Sequence, residues 1–97
     1  PKMGNVITQS AEAAEEAILA QLESAAEIKA LDNVLLNGVK SYPSNPFNEL
    51  EKKPDGYTNG SDSGQEGAWW FSSNKVYHRR NGTSYHWNYN SSTGEIN

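Results

Sequence analysis

Hydrophobic and small residues recur every three or four positions through the first third of the chain, which is the spacing of one face of an α-helix. Alanine is frequent there, and no Gly or Pro interrupts the segment between Gly4 and Asn37. Asn37-Gly38 is a pair that tolerates the left-handed conformation at a helix end. The pattern predicts a helix over about residues 5–37 whose apolar row contains Met3, Ile7, Ala11, Ala14, Ile18, Leu22, Ala25, Ile28, Leu31 and Leu35.

Residues 38–67 lose this periodicity and are rich in turn-forming pairs such as Tyr42-Pro43 and Asn59-Gly60. Loops of this length in small domains are usually functional or attached by their own side chains. The sequence therefore predicts a long connecting loop that is anchored on the core by four apolar side chains: Tyr42, Phe47, Leu50 and Tyr57.

Residues 68–97 have the composition of β-structure, with many aromatics separated by turn residues. Asn81-Gly82 is a strong signal for a two-residue hairpin turn, which pairs Arg80 with Thr83. A second turn at Ser73-Asn74 adds another strand, and Glu95-Ile96 is a candidate for a fourth. Counting back from the two turns also pairs Phe71 with Val76, Trp69 with His78, Val76 with Trp87, Tyr77 with His86 and His78 with Tyr85.

Side chains of a strand alternate between the two faces of a sheet, so this register sorts the aromatics. The inner face is predicted to hold Trp69, Phe71, Val76, His78, Tyr85, Trp87 and Tyr89, packed on Ile18, Leu22, Ala25, Ile28, Leu31 and Leu35 of the helix. Truncation of Trp87 to Ala is then expected to cost about 3–5 kcal/mol. The outer face is predicted to carry a surface interaction patch, the outer-face patch, of Trp70, Lys75, Tyr77, Arg79 and His86.

Three explanations of the outer-face patch are open. The connecting loop could fold back over it, or a neighbouring subunit could meet it with the acidic helix surface around Glu23 and Glu27. The third is a ligand site in which aromatics stack on bases or sugars while cations meet phosphate. The net charge of −4 argues against a dedicated nucleic-acid protein, although residues 68–97 are locally basic.

Length and composition predict a single domain over residues 1–97, of α+β class: a long N-terminal amphipathic helix on a three- to four-stranded antiparallel sheet. The absence of cysteine excludes disulfides and thiol chemistry. No apolar run reaches membrane-spanning length, and no signal peptide is recognised. The chain starts with Pro1 rather than Met, which suggests a fragment.

The sequence gives little support to a catalytic function, and we expect that the protein is not an enzyme. The two histidines, His78 and His86, fall on opposite faces of the predicted sheet, so they cannot act together on a substrate or a metal. No cofactor is expected. Calcium in the 55–66 loop is the alternative, since Asp55, Asp62 and Glu66 lie there, but their spacing matches no EF-hand.

The order of elements, together with three short motifs, resembles the soluble part of a type IV pilin or of a type II secretion pseudopilin. Pro1-Lys2-Met3 is similar to the proline-containing segment that follows the apolar first stretch of such proteins. The other two motifs are the Tyr42-Pro43 and Asn45-Pro46-Phe47 turns, and Trp87-Asn88-Tyr89-Asn90 followed by Thr93-Gly94-Glu95-Ile96. The apolar N-terminus with its Glu and the C-terminal Cys pair of the family are not present in these 97 residues.

The resemblance implies a structural subunit, a major or minor pilin or a pseudopilin. Such a subunit is held in the bacterial inner membrane by an upstream apolar segment and then assembled with its copies into a filament, at the cell surface or in the periplasm. A helix of about 30 residues is about 45 Å long, more than a domain of this size covers. Its subunit contacts are expected at Met3, Ile7, Ala11 and Ala14. The alternative is a small nucleic-acid- or glycan-binding module that uses the outer-face patch.

Overall fold

The computed structural model describes residues 2–97, and the side chains of residues 13–97. One helix, α1, packs on a three-stranded antiparallel sheet with strand order β1-β2-β3, which confirms the predicted α+β class. The elements in chain order are α1 (Lys2–Asn37), a short 3₁₀ helix (Pro46–Glu49), β1 (Trp69–Ser72), β2 (Lys75–Arg80) and β3 (Thr83–Asn88).

The predicted end of the helix is confirmed. Gly38 has a φ of +77°, in the left-handed region, and its N–H donates to the carbonyl of Val34 at 2.8 Å. This bond satisfies one of the carbonyls that a helix end leaves open. Because glycine has no Cβ, it adopts this conformation without steric cost.

Both hairpin turns and the register they imply are confirmed. The central residues of each turn, Ser73-Asn74 and Asn81-Gly82, all have positive φ, as a type I′ turn requires. The partners across the sheet are those expected from the turns, including Trp69 with His78 and Val76 with Trp87. Local turn chemistry therefore determines which side chains share a face of the sheet.

The candidate fourth strand is reduced to a single β-bridge between Tyr89 and Ile96. Backbone hydrogen bonds between Asn88 and Asn97, of 2.8 and 2.9 Å, extend this contact along the edge of β3. The carboxylate of Glu23 on α1 accepts a hydrogen bond from the N–H of Ile96 at 2.7 Å. The last residues thus connect the edge of the sheet to the helix.

The connecting loop is anchored as predicted. Phe47 is fully buried and stacks on Tyr57, with ring centroids 4.5 Å apart, while Leu50 packs at the edge of the core. The hydroxyl of Tyr42 donates to the carboxylate of Glu27 at 2.8 Å. The loop therefore runs back along α1.

The core centres on Leu22, Phe47, Trp69 and Val76, with Ile18, Phe71 and Trp87 partly buried against it. Tyr85 is less buried than its predicted position in the core implies, since 36% of this residue is exposed. The prediction is also wrong for three residues of the helix, which are 67%, 53% and 86% exposed: Ile28, Leu31 and Leu35.

The helix is apolar on two sides, which explains this error. Ala26 and Ala30 are fully buried, one position away from the predicted row. The returning loop lies along this part of α1, where Asn33 donates to the carbonyl of Ser41 at 2.6 Å. Small side chains allow that close approach, so alanine takes the inner positions while the larger Ile28 faces outward. Periodicity alone cannot distinguish the two sides.

Candidate functional site

A buried cluster of ionisable side chains joins the helix to the sheet. The Nδ1 atom of His78 lies 2.5 Å from Oε2 of Glu15, and Nε of Arg80 donates to the same oxygen at 3.2 Å. A carboxylate oxygen only accepts hydrogen bonds, so Nδ1 of His78 carries the hydrogen. We call Glu15, His78 and Arg80 the buried charge cluster, because their side chains are 6%, 8% and 13% exposed.

Two aromatic rings contact the buried charge cluster. Trp69 stacks on the imidazole of His78 with ring centroids 4.1 Å apart, and the guanidinium of Arg80 lies 4.1 Å from the centroid of the Tyr85 ring. A carboxylate–imidazole pair that acts as an acid–base catalyst needs access to its substrate. The burial of Glu15 and His78 favours a structural role, in which the cluster fixes α1 against β2.

Sequence reasoning missed the role of Glu15. It placed His78 on the inner face of the sheet, opposite to His86, and the register confirms this placement. The signal for the partner was present, since Glu15 precedes Leu22 by seven residues and so lies on the same face of α1. A carboxylate on the core side of a helix calls for a buried cation opposite it.

The outer-face patch is less open than the sequence predicted. Trp70 stacks on Tyr77 with ring centroids 5.0 Å apart. Trp70 is only 7% exposed, so the expectation that it lies on the surface is wrong. Lys75 and Tyr77 are half-buried, and His86 is exposed beside Tyr77. The structure therefore brings the predicted residues together and leaves only part of them accessible.

The connecting loop contacts Arg79 of this face and the β2–β3 turn. Asp62 accepts a hydrogen bond from Arg79 at 2.6 Å, and the N–H groups of Asn81 and Gly82 donate to the carboxylate of Glu66. The first contact lowers the pKa of Asp62, and the backbone donors lower the pKa of Glu66. These contacts support the explanation in which the loop folds back over the patch.

The same carboxylates were the candidates for calcium. Asp62 and Glu66 are used by Arg79 and by the β2–β3 turn, and Asp55 is exposed. Over the described residues, no group of three or more His, Asp or Glu side chains could hold a metal ion.

We expect the attachment of the loop to depend on pH. A carboxyl group whose pKa is lowered by folding stabilises the fold above its ordinary pKa, and this contribution is lost as the pH falls through the lowered value. In an NMR titration from pH 7 to pH 2, the amide signals of Asn81 and Gly82 should shift with a midpoint below the ordinary Glu pKa of 4.5.

Glu66→Gln should abolish that transition at the turn. Asp55→Asn is the matched control, because it removes an exposed carboxylate of the same loop and should leave the transition unchanged. A midpoint at or above the ordinary value for Glu would show that the carboxylate does not hold the turn.

The side of α1 that faces away from the sheet carries a continuous row without charge. Its members are all exposed and recur every three or four residues; we call them the outer helix row: Ala17, Ala20, Ser24, Ile28, Leu31 and Leu35. An open groove of about 430 Å³ between α1 and the 3₁₀ helix borders this row at Ile28. Leu36, and Val39 beyond the end of α1, are also exposed but are not members of this row. Large exposed apolar surfaces usually mark interaction sites.

Of the four predicted subunit contacts, only Ala14 belongs to the residues whose side chains the structure describes, and it is exposed. The other three lie outside that range: Met3, Ile7 and Ala11. Within the described part of the chain, none of the helices has the length and apolar character needed to cross a membrane.

Comparisons with known proteins identify no family: no family model, no curated protein and no solved structure matches this chain.

Proposed function

We propose that this chain is the globular part of a filament subunit of the type IV pilin class, a pilin or a pseudopilin, that assembles with copies of itself through α1. The observation that carries the proposal is the outer helix row. A helix that packs its own sheet on one side needs no leucine or isoleucine on the other side, where water would meet it. Burial of Ile28, Leu31 and Leu35 in a helix bundle would recover about 25 cal/mol per Å² of apolar surface.

Charge supports the same interface. Between Ala17 and Leu35 the row contains no Asp, Glu, Lys or Arg, whereas Glu23, Glu27 and Lys29 lie on other sides of the helix. Depletion of charge is typical of the centre of an interface. The short motifs from Tyr42-Pro43 to Trp87-Asn88-Tyr89 resemble those of pilins, whose subunits associate through their N-terminal helix, and this resemblance supports the proposal.

A binding module for nucleic acid or glycan is less well supported. Such a module would need Trp70 accessible for stacking and Arg79 available for phosphate. Trp70 is buried and Arg79 is paired with Asp62. The outer-face patch therefore does not favour this second function.

The sequence that precedes Pro1 in the gene provides the first test. A pilin or pseudopilin requires about 20 apolar residues that begin with Phe and carry an early Glu, long enough to span the inner membrane. If the gene encodes no such segment, the proposal is wrong.

The assembly surface can be tested in the full-length protein. We expect Leu35→Glu to abolish filament assembly, because a carboxylate would be buried without a partner in the bundle. The isolated domain should keep its melting temperature, since substitutions at exposed positions usually change stability by less than about 0.5 kcal/mol. Filaments can be counted by electron microscopy of sheared cell-surface fractions.

Val39→Glu is the matched control for assembly. Val39 is 66% exposed but follows the end of α1, so the same change of charge should leave filaments intact. Normal assembly of Leu35→Glu would exclude the outer helix row as the interface.

A further inference from the structure

The outer edge of β3 is an open hydrogen-bonding edge. Tyr89 donates its N–H to the carbonyl of Asn74, so the alternate residues Thr83, Tyr85 and Trp87 also direct their backbone groups toward β2. The backbone groups of Ser84 and His86 must then point away from the sheet. Over the described residues, no backbone hydrogen bond on the outer side of β3 involves either residue.

The same edge already accepts a strand at its far end. Asn88 has the same orientation as Ser84 and His86, and it exchanges two hydrogen bonds with Asn97, while Asn90 donates to the carbonyl of Glu95. The antiparallel tail thus pairs with the edge from Asn88 onward. Among the described residues, no segment pairs with this edge along the five residues Thr83–Trp87.

The open stretch lacks the features that usually prevent pairing between edges. Natural edge strands are protected by lysine, proline, bulges or a covering segment. Residues 83–88 read Thr-Ser-Tyr-His-Trp-Asn, without Lys, Pro or an acidic residue, and their pairing with β2 is regular. Five of the six residues are exposed. The composition is rich in residues that favour strands.

We propose that this edge pairs with the same edge of a second copy of the chain, in antiparallel orientation about a two-fold axis at Tyr85. In this register Ser84 of each copy faces His86 of the other, and the two pairs exchange four N–H···O hydrogen bonds. The paired stretch ends at Trp87 and therefore leaves the hydrogen bonds between Asn88 and Asn97 of each copy intact. The result is a continuous six-stranded sheet.

A second copy of β3 can pair with this edge without placing like charges opposite each other. Two copies of a charged strand would oppose like charges, which destabilises pairing. β3 contains no Lys, Arg, Asp or Glu, whereas β2 carries Lys75, Arg79 and Arg80. The pairing is independent of the filament proposal, because it uses β3 and not the outer helix row.

The expected association is weak, because four net hydrogen bonds must offset the loss of translational and rotational freedom. Sedimentation equilibrium should show a monomer at about 10 µM and a growing dimer fraction toward about 1 mM. In the same range, NMR hydrogen exchange at the amides of Ser84 and His86 should slow with concentration. The amide of Tyr85, which is bonded within the sheet, should not change.

His86→Pro tests the hydrogen bonds directly. It removes the outward N–H without removing a bond to β2, a position at which proline is tolerated in an edge strand. We expect the dimer to be lost. His86→Ala is the matched control: it removes the imidazole but keeps the N–H, and it should dimerise like the unmodified chain.

The double variant Ser84→Lys/His86→Lys provides a test without proline. It keeps every backbone group and places lysines opposite lysines in the proposed register, so it should also be monomeric. The proposal is overturned if the unmodified chain stays monomeric at 1 mM, or if His86→Pro dimerises normally while folded. It is likewise overturned if association shifts the signals of Ile28 and Leu35 and leaves Ser84 and His86 unprotected, an outcome that assigns self-association to the outer helix row.

Discussion

Replacement of Glu15 by alanine is expected to lower the free energy of unfolding by about 3–5 kcal/mol, the typical cost of removing one partner from a buried ion pair. The change leaves Nδ1 of His78 without its acceptor and takes an ionic partner from Arg80, both of which are largely buried. A small domain has a total stability of about 5–15 kcal/mol, so this loss is a large share. Thermal and urea denaturation followed by circular dichroism would measure it.

Glu16→Ala is the control for the Glu15 substitution. Glu16 is the next residue on α1 and is exposed, so its removal should change stability by less than about 0.5 kcal/mol. Comparable melting temperatures of Glu15→Ala and the unmodified chain would show that the cluster does not hold the helix on the sheet.

A triple replacement separates two physical effects at the cluster. Buried ion pairs can often be exchanged for apolar residues of similar volume at little cost, whereas removal of one partner alone is destabilising. Glu15→Met, His78→Phe and Arg80→Leu together should therefore be less destabilising than Glu15→Ala. A triple variant that is less stable than the single one would indicate that attraction within the cluster, rather than the cost of unpaired polar groups, dominates.

Replacement of Trp69 by alanine is the second large effect that we expect, at about 3–5 kcal/mol. Trp69 is 2% exposed and stacks on His78. Its ring also packs against the ring of Phe47, with centroids 6.2 Å apart. Its removal would open a cavity between the helix, the loop and the sheet, and it would uncover the imidazole of the buried charge cluster. Urea denaturation with an unchanged m-value would identify a loss of stability alone.

Trp87→Ala is the comparison for Trp69→Ala. The sequence assigned the full core penalty to Trp87, but this residue is half-buried and packs at the margin of the core. Its truncation should cost less, in proportion to the smaller apolar area that it buries. A larger effect at Trp87 than at Trp69 would contradict the placement of the core.

Much of the sheet could be predicted from the sequence. The turns at Ser73-Asn74 and Asn81-Gly82 select a two-residue loop, and a two-residue loop determines every pair of the two hairpins. The same local reasoning predicted the end of α1 at Gly38. These features depend on residues that are close together in the chain. Phe47 was predicted as an anchor from its apolar character within the loop, although the residues that bury it, Leu22 and Trp69, are distant in the chain.

Contacts between distant segments could not be predicted in this way. Glu15 and His78 are separated by 63 positions, and Asp62 meets Arg79 only because the loop returns over the sheet. The burial of Trp70 could not be predicted either, because its position on the outer face of the sheet indicated exposure. The spacing of apolar residues, every two positions in a strand and every three or four in a helix, indicates which residues share a side of the element. It does not indicate what covers that side.

The sequence by itself determined the class of fold, the two hairpins with their register, and the end of the helix, because turn geometry and side-chain alternation are local properties of the backbone. Only the tertiary structure decided which side of α1 is buried. Both sides are apolar, but Ala26 and Ala30 are buried, whereas Ile28, Leu31 and Leu35 lie on the outside. The choice depends on the shape of the surface opposite the helix, and that surface is built by residues far away in the chain.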